Sequence, residues 1–339
     1  MTGGSQPIER LDRFMARANS VYYATHDPFA DFATAPEISQ VFGEILGLWA
    51  AVVWRALGSP SPVLLVEAGP GRGTLMADAL RAIGRAAPDF GGALRLHLIE
   101  SSPRLRALQA ARLPVATWHE GLDTLPDGPL LLLANEFLDA LPIRQFVWRA
   151  GRWMERHVGP DGFVEMPLAE AGGRLPGLLP GVPSDGTVLE HNAAALAFAT
   201  ALARRFAHVA GAALFLDYGP ARRGFGDSLQ AIAGGRPANP LAPAGSGDLT
   251  AHVDFQAVAE AAQAAGARVH GPVPQGPFLA ALGLFQRTNR LARHLEPARA
   301  SALMQAAQRL AEPDRMGRLF KALALSSPGG ALLPGFEPG

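Results

Sequence analysis

The stretch VEAGPGRGTLMADAL, residues 66–80, sets an acid, Glu67, ahead of three alternating glycines, Gly69, Gly71 and Gly73. It lies between an apolar run and an amphipathic one. Glycines there tolerate a tight turn and let a ligand approach the backbone without a Cβ in the way. Pro70 completes the loop and Thr74 opens the next helix. The spacing departs from the G-x-G-x-x-G of dinucleotide-binding loops, which counts against a pyrophosphate ligand and against a dehydrogenase. Glu100 ends the next apolar run, in HLIESS. A carboxylate there can accept hydrogen bonds from both ribose hydroxyls, which fixes a nucleoside but not which one. A third group follows the apolar run LLLLA: Asn135, Glu136 and Asp139 in NEFLDALP. Two carboxylates three residues apart on one turn can face the same way. They suit a forked, multi-donor cation such as guanidinium; the alternative is that they cap a helix they precede.

These groups need a frame, and the pattern supplies one. Residues 8–57 read mainly as helix, with Ile38, Val41, Phe42, Ile45, Leu46 and Trp49 at helical spacing and Pro36 in a first turn. From Pro62 short apolar runs (63–67, 94–100, 115–119, 129–135) alternate with helices from about Thr74 and Pro103. That alternation predicts a parallel sheet covered on both faces, which binds ligands at the carboxyl ends of its strands. It breaks at IRQFVWRAGRWMERHV, which predicts two antiparallel strands about Ala150-Gly151, and a Pro/Gly-rich segment follows to about residue 187. A helix from about Asn192, a strand over 212–219, a loop-rich segment to Leu249, a helix from about Phe255 and a strand over 319–327 resume it. The expected organisation is a helical cap over 1–60, a Rossmann-like core over 61–142 and 188–330, and insertions over 143–187 and 220–250 forming a substrate-side lobe.

Bulk properties narrow the partners. Lys plus Arg and Asp plus Glu number 30 each in 339 residues, so no net field draws the chain to nucleic acid or an anionic membrane. Cysteine is absent, which excludes disulfides and thiolate metal sites, and no metal is expected. The N-terminus has no apolar h-region and no apolar run could span a bilayer, so a cytoplasmic protein without membrane insertion is expected.

The glycine loop resembles acid-x-G-x-G-x-G, the first motif of class I S-adenosylmethionine methyltransferases. A sulfonium cofactor of that kind has a carboxylate that loop amides can take and an ammonium that Glu67 can balance. In that fold the segment after the third strand borders the adenine, which points to Gly121 and Leu122 in HEGLDTLP. The chain is also similar, over nearly its whole length, to the MidA-like proteins, whose mitochondrial members are the arginine methyltransferase that assists respiratory complex I assembly. The similarity is carried by GPGRGTLMADAL, NEFLDALPIRQF, DFATAPEISQVFGE (31–44), FLDYG (215–219), GDLTAHVDF (247–255), QGPFLAALG (275–283) and MGRLFKALAL (316–325).

The resemblance implies a class I fold with a seven-stranded sheet, S-adenosyl-L-methionine as cofactor, and protein arginine on a complex I subunit as acceptor. A homodimer is compatible with it. It implies a bacterial cytoplasmic protein, with eukaryotic relatives in the mitochondrial matrix. Thr34, Pro36 and Glu37 of TAPEIS would fold over the cofactor, or form an ordinary capping box. Asp217 and Tyr218 of FLDYG would face the cleft or form a satisfied structural pair, and Asp248 and His252 would approach substrate, the alternative for His252 being a structural role. Two departures stand out: Ala30-Asp31-Phe32 where the family usually has Gly-Asp-Phe, and AIAGGRPANPL, with Arg236 alone charged, where it carries a basic or histidine-containing stretch. Two alternatives remain open: a methyltransferase for another nitrogen acceptor, and a non-catalytic assembly protein that retains the cofactor pocket.

Overall fold

The computed structural model describes residues 8–26, 33–168, 175 and 181–337. A short strand, β1 (Glu9–Arg10), leads into α1 (Leu11–Thr25); α2 (Ala35–Ile38) and α3 (Gln40–Ala56) complete the N-terminal segment. The helix expected from Pro36 onward is broken at Ser39, which is extended (φ −152°) and whose hydroxyl accepts from the Val41 amide, so that α3 starts anew. Serine offers the backbone this local alternative to a continued helix. Alternation follows as expected through β2 (Val63–Ala68), α4 (Thr74–Ala86), α5 (Pro88–Ala93), β3 (Leu94–Ile99), α6 (Pro103–Arg112), β4 (Thr117–His119) and β5 (Leu130–Asn135).

The chain then forms the antiparallel strands β6 (Arg144–Arg149), β7 (Arg152–Gly159), β8 (Gly162–Pro167) and β9 (Val188–His191). Ala150 and Gly151 join β6 to β7 with φ of 46° and 80°, the left-handed pair that a two-residue hairpin turn needs. Strand β9 pairs with β6, and β1 with β7, so this sheet draws on three separate parts of the sequence. After α7 (Ala193–Phe206) and β10 (Gly211–Tyr218), a small sheet forms from β11 (Gln230–Ala233), β12 (Arg236–Ala238) and β13 (Asp248–Thr250), with Arg236 exposed on it. The chain ends with α8 (Phe255–Ala264), β14 (Arg268–Pro274), α9 (Gln275–Ala281), α10 (Leu284–Ala292), α11 (Pro297–Ala311), α12 (Met316–Leu319) and β15 (Phe320–Ser326).

The central sheet runs β14-β15-β10-β5-β2-β3-β4, parallel except for β15, which opposes both its neighbours. Strand β14 escapes sequence reading because RVHGPVP carries two prolines and a glycine. It tolerates them as an edge strand whose register shifts between His270 and Val273. Strands β2 and β5 are buried at every position. On one face Leu65, Leu131, Leu133 and Leu214 pack with Phe42, Trp49 and Met76 from α3 and α4. On the other Val66, Leu132 and Phe215 pack with Leu202 and Val258 from α7 and α8. Strand order reverses between β2 and β5, so their carboxyl ends flank the crevice where such sheets bind ligands. Among the described residues no helix is long and apolar enough to cross a membrane.

Close packing fixes the helix that follows the glycine loop. A Cβ on Gly43 would lie 2.7 Å from the Leu75 carbonyl oxygen, and one on Gly47 would lie 2.7 Å from Ala79 Cα, so α3 meets α4 backbone to backbone. Gly47→Leu is expected to destabilise the fold by about 2–3 kcal/mol through overpacking, measured by urea unfolding. An unchanged midpoint would show that α3 and α4 can separate freely.

Candidate active site

Leaving β2, the chain passes Gly69, Gly71 and Gly73 at φ of 67°, 52° and 75°, a region glycine enters without a Cβ penalty. Space is also closed there: a Cβ would meet Phe137 at 3.0 Å from Gly69, and Leu113 at 2.9 Å from Gly73. The Gly73 amide donates to the Pro70 carbonyl at 2.6 Å, which closes the turn before Thr74 opens α4. Glu67, one residue before the end of β2, is buried, and its Oε2 has no hydrogen-bond partner among the described residues.

At the end of β3, Glu100 accepts from the Ser102 amide at 2.8 Å and from Gln109 Nε2 at 3.2 Å. The same Gln109 amide donates to the Gly71 carbonyl at 2.8 Å, and its oxygen accepts from the Trp118 indole at 2.8 Å. Gln109 joins the glycine loop to the second acid, and nothing in the sequence marks it, because a glutamine within a helix reads as a solvated face. The Glu100 amide donates to the His119 carbonyl at 3.0 Å, which holds the end of β4 alongside. Gly121 and Leu122 follow; Gly121 precedes a 3₁₀ turn over Leu122–Thr124, and Leu122 packs against the core.

Beyond β5 no helix forms over residues 136–142, so Glu136 and Asp139 have none to cap. Glu136 has a φ of 50°, uncommon for a residue other than glycine and costly unless its surroundings impose it. They do: its amide donates to the Leu216 carbonyl at 2.9 Å, and its Oε1 accepts from Asn135 Nδ2 at 3.0 Å and from the Ala35 amide at 3.1 Å. Asp217 Oδ2 accepts from the amides of Phe137, Leu138 and Asp139 at 3.1, 2.8 and 3.3 Å, and its Oδ1 from Tyr218 at 2.9 Å. Asn192, the cap of α7, donates to the Leu138 and Leu141 carbonyls at 3.1 Å each. The loop is thus fixed by two side chains remote in sequence.

The N-terminal segment closes over both loops. Thr34 makes no side-chain cap on α2, Pro36 lies in its first turn, and Glu37 reaches across to accept from the Thr74 hydroxyl at 2.5 Å. A capping box therefore does not form. Ala30, Asp31 and Phe32, where the sequence departs from its family, lie outside the described residues. Tyr23 of α1 donates to Asp248 at 2.7 Å, and the Tyr218 hydroxyl donates to Thr250 at 2.6 Å. His252 is exposed and packs edge-on to the Tyr218 ring.

Comparison with known proteins gives the family. The family model described as "Putative S-adenosyl-L-methionine-dependent methyltransferase" matches residues 45–273. The chain is similar to the Drosophila melanogaster protein arginine methyltransferase NDUFAF7 homolog, mitochondrial: 34% identical over 364 residues, covering 96% of this chain and 82% of that protein. It is 31% identical over 366 residues to the Homo sapiens mitochondrial protein arginine methyltransferase NDUFAF7, covering 96% and 80%. A Burkholderia thailandensis protein crystallised with S-adenosyl-homocysteine superposes with a TM-score of 0.79 at 29% identity, over 98% of this chain and 91% of that one. The chain belongs to this methyltransferase family. Its cofactor is S-adenosyl-L-methionine, and its seven-stranded sheet is the class I fold.

The methyltransferase concentrates negative charge at these strand ends. Burial pushes the Glu67 carboxyl up to about 8. Burial also raises Glu136 and Glu100, the latter offset in part by Ser102 and Gln109. Asp217 rises to about 7, chiefly by burial; Asp139 is raised well above the usual carboxylate range by burial and then by the charges of Asp217, Glu136 and Asp248, against a lowering hydrogen bond from Tyr218. Four amides meet the Asp217 charge, whereas Asp139 Oδ1 has no partner among the described residues, so charge is better supported on Asp217 than on Asp139. Asn135 Oδ1 is likewise buried without a partner. A cavity of about 130 Å³ between β9, α7 and α8, lined by His191, Asn192, Arg223 and Val258 among others, includes none of the loop acids.

Glu67 gives a testable sign. Its folded-state value is raised from 4.5 to about 8, so between those values the folded state holds a proton that the unfolded chain has lost. Stability without cofactor therefore falls as pH rises through that window. Glu67→Gln is expected to remove this share of the pH dependence and raise the unfolding free energy at pH 8.5 by on the order of 3 kcal/mol, measured by urea unfolding across pH. An unchanged profile would show a Glu67 carboxylate that is paired.

Proposed function

We propose that this methyltransferase transfers a methyl group to a protein arginine nitrogen. The observation that carries the reading is a pair of buried acceptors without partners, Asn135 Oδ1 and Asp139 Oδ1, in a loop crowded by Glu136, Asp217 and Asp248. Buried acceptors need donors, and a guanidinium brings five in a fixed fork with a permanent charge. The arginine methyltransferase names of the two mitochondrial relatives support the same acceptor. The family resemblance extends it to a complex I subunit.

The residues present fit the cofactor. The orphaned Glu67 Oε2 meets the need of an ammonium, and in the loop of Gly69, Pro70, Gly71, Gly73 and Thr74, where the Ile99 and Pro70 carbonyls take the amides of Gly69 and Gly73, the amides of Gly71 and Thr74 are left for a carboxylate. Glu100 holds the ribose hydroxyls, Gly121 and Leu122 border the adenine, and Thr34, Pro36 and Glu37 cover the loop. When bound, the cofactor supplies an electrophilic methyl on a positively charged sulfur.

The acids then solve a charge problem. A guanidinium and a sulfonium repel by about 4 kcal/mol at ~4 Å in a medium of effective dielectric ~20, and Glu136, Asp139, Asp217 and Asp248 offset that repulsion. Glu136 and Asp139 hold the fork, Asn135 orients it, and Asp217 and Tyr218 position the loop. Carboxylates that draw positive charge onto the held nitrogens leave the attacking nitrogen richer in electrons. Alignment supplies about 7–11 kcal/mol of the barrier reduction. The nitrogen–carbon bond forms as the sulfur–carbon bond breaks, giving a methylated guanidinium, a neutral thioether and one proton. Docking of the cation favours ionised Asp139, any proton it held passing to solvent, and the carboxylate then takes up the proton released by transfer.

Calorimetry should show S-adenosyl-homocysteine binding and no NAD binding; tight NAD binding alone would sink the cofactor assignment. Glu136→Gln should bind the product normally but lose transfer by about 100-fold or more, and full activity would return Glu136 to structure. Incubating a lysate of a deletion strain with labelled cofactor, followed by mass spectrometry, should place the methyl on arginine. Label on lysine or on a small molecule would overturn the acceptor. Restored complex I assembly in that strain by Gly71→Val, in which a side chain blocks the cofactor loop, would make the protein a scaffold.

A further inference from the structure

Gln109 of α6 is fully buried and makes three hydrogen bonds, each to a different part of the cofactor side of the crevice. The Trp118 indole N–H is only a donor, so it must face the glutamine oxygen. That fixes the amide: its NH₂ group faces the two acceptors that remain, the Gly71 carbonyl and the Glu100 carboxylate, at 2.8 and 3.2 Å. Neither assignment has freedom to flip, because reversal would set oxygen against oxygen twice and leave the indole without an acceptor.

We infer that Gln109 is a positioning residue which locks the methionine-end loop to the ribose-end acid and keeps Glu100 an acceptor for both ribose hydroxyls. The inference rests on the reading of Glu100 as the ribose acid. Glu100 is buried, and its carboxylate has a fixed donor at each oxygen, the Ser102 amide on Oε1 and Gln109 on Oε2. A ribose needs that carboxylate ionised and correctly rotated. Gln109 secures both conditions while tying the same group to the Gly71 carbonyl, so the spacing between loop and acid is set by one rigid amide. An apolar residue at 109 would fill the space but abandon the Gly71 carbonyl, the Glu100 oxygen and the Trp118 N–H together.

The test is binding of S-adenosyl-homocysteine to the full chain by calorimetry between pH 6 and 8.5. Gln109→Glu keeps the shape and the acceptor for Trp118, but replaces the two donors by a second carboxyl against Glu100. It should lower affinity about tenfold at pH 8.5 and about a further threefold at pH 6, where the crowded carboxyls hold a proton the ribose must displace. The charge of Arg106 on the same helix also acts on Glu100, and the His97–His119 pair lies on β3 and β4, joined to Glu100 through the His119 carbonyl. They are common to both proteins, so the difference between the two profiles belongs to position 109. A residue that only fills space would lower affinity equally at every pH, and that outcome overturns the inference, as does unchanged affinity.

Trp118→Phe removes the N–H that orients the amide and decides the matter if Gln109→Glu does not fold. It should weaken binding about threefold or more with the same steeper pH dependence, whereas a wild-type profile overturns the inference. Glu100→Gln separates the two readings. If it leaves affinity unchanged, the ribose assignment has failed; if it weakens binding while the Gln109 and Trp118 variants do not, only the role of Gln109 has failed.

Discussion

Two parallel strands buried on both faces, β2 and β5, end side by side where the strand order turns back. The rest of the site depends on that juncture. A strand buried along its whole length can bring a polar side chain to its end only by burying it, and Glu67 and Asn135 are buried in this way. Across the β2–β5 pairing Glu67 lies opposite Leu133, two residues before Asn135, so both project from the same face of the sheet. The glycine loop and the 136–142 loop therefore leave the sheet as neighbours.

Such a juncture is costly unless the chain around it is rigid. The 136–142 loop has no regular secondary structure, yet the Asp217 carboxylate gathers three of its amides and Asn192 two of its carbonyls. Glu136 is held with a left-handed backbone by the same scaffolding. Strain and unpartnered acceptors coincide in residues 135–139, as expected where a structure stores its preference for a ligand rather than satisfying itself.

The N-terminal segment ties the two halves together. Glu37 binds Thr74 beside the glycine loop while the Ala35 amide binds Glu136 beyond β5. Through α1, Tyr23 bonds to Asp248 by its hydroxyl and to Ser102 by its carbonyl, which places one residue between Asp248 and the Ser102 amide that Glu100 accepts from. A shift in either loop must therefore be felt by the cap.

The sequence by itself determined the alternation of elements, the glycine loop and the three groups of acids, because these are local: period, spacing and turn chemistry within about fifteen residues. Caps at Ser102, Asn192 and Asp254 are local as well, and the helices begin beside them. Strand β14 was hidden because its prolines argue against any strand but an edge, and edge position belongs to the sheet. Only the tertiary structure decided that Asp217 supports a loop 78 residues away, that Glu37 serves Thr74 rather than its own helix, and that Gln109 joins Gly71 to Glu100. A hydrogen bond across such separations leaves no periodicity in the chain. It exists because burial removes water and obliges each polar group to find whichever partner the fold has brought near.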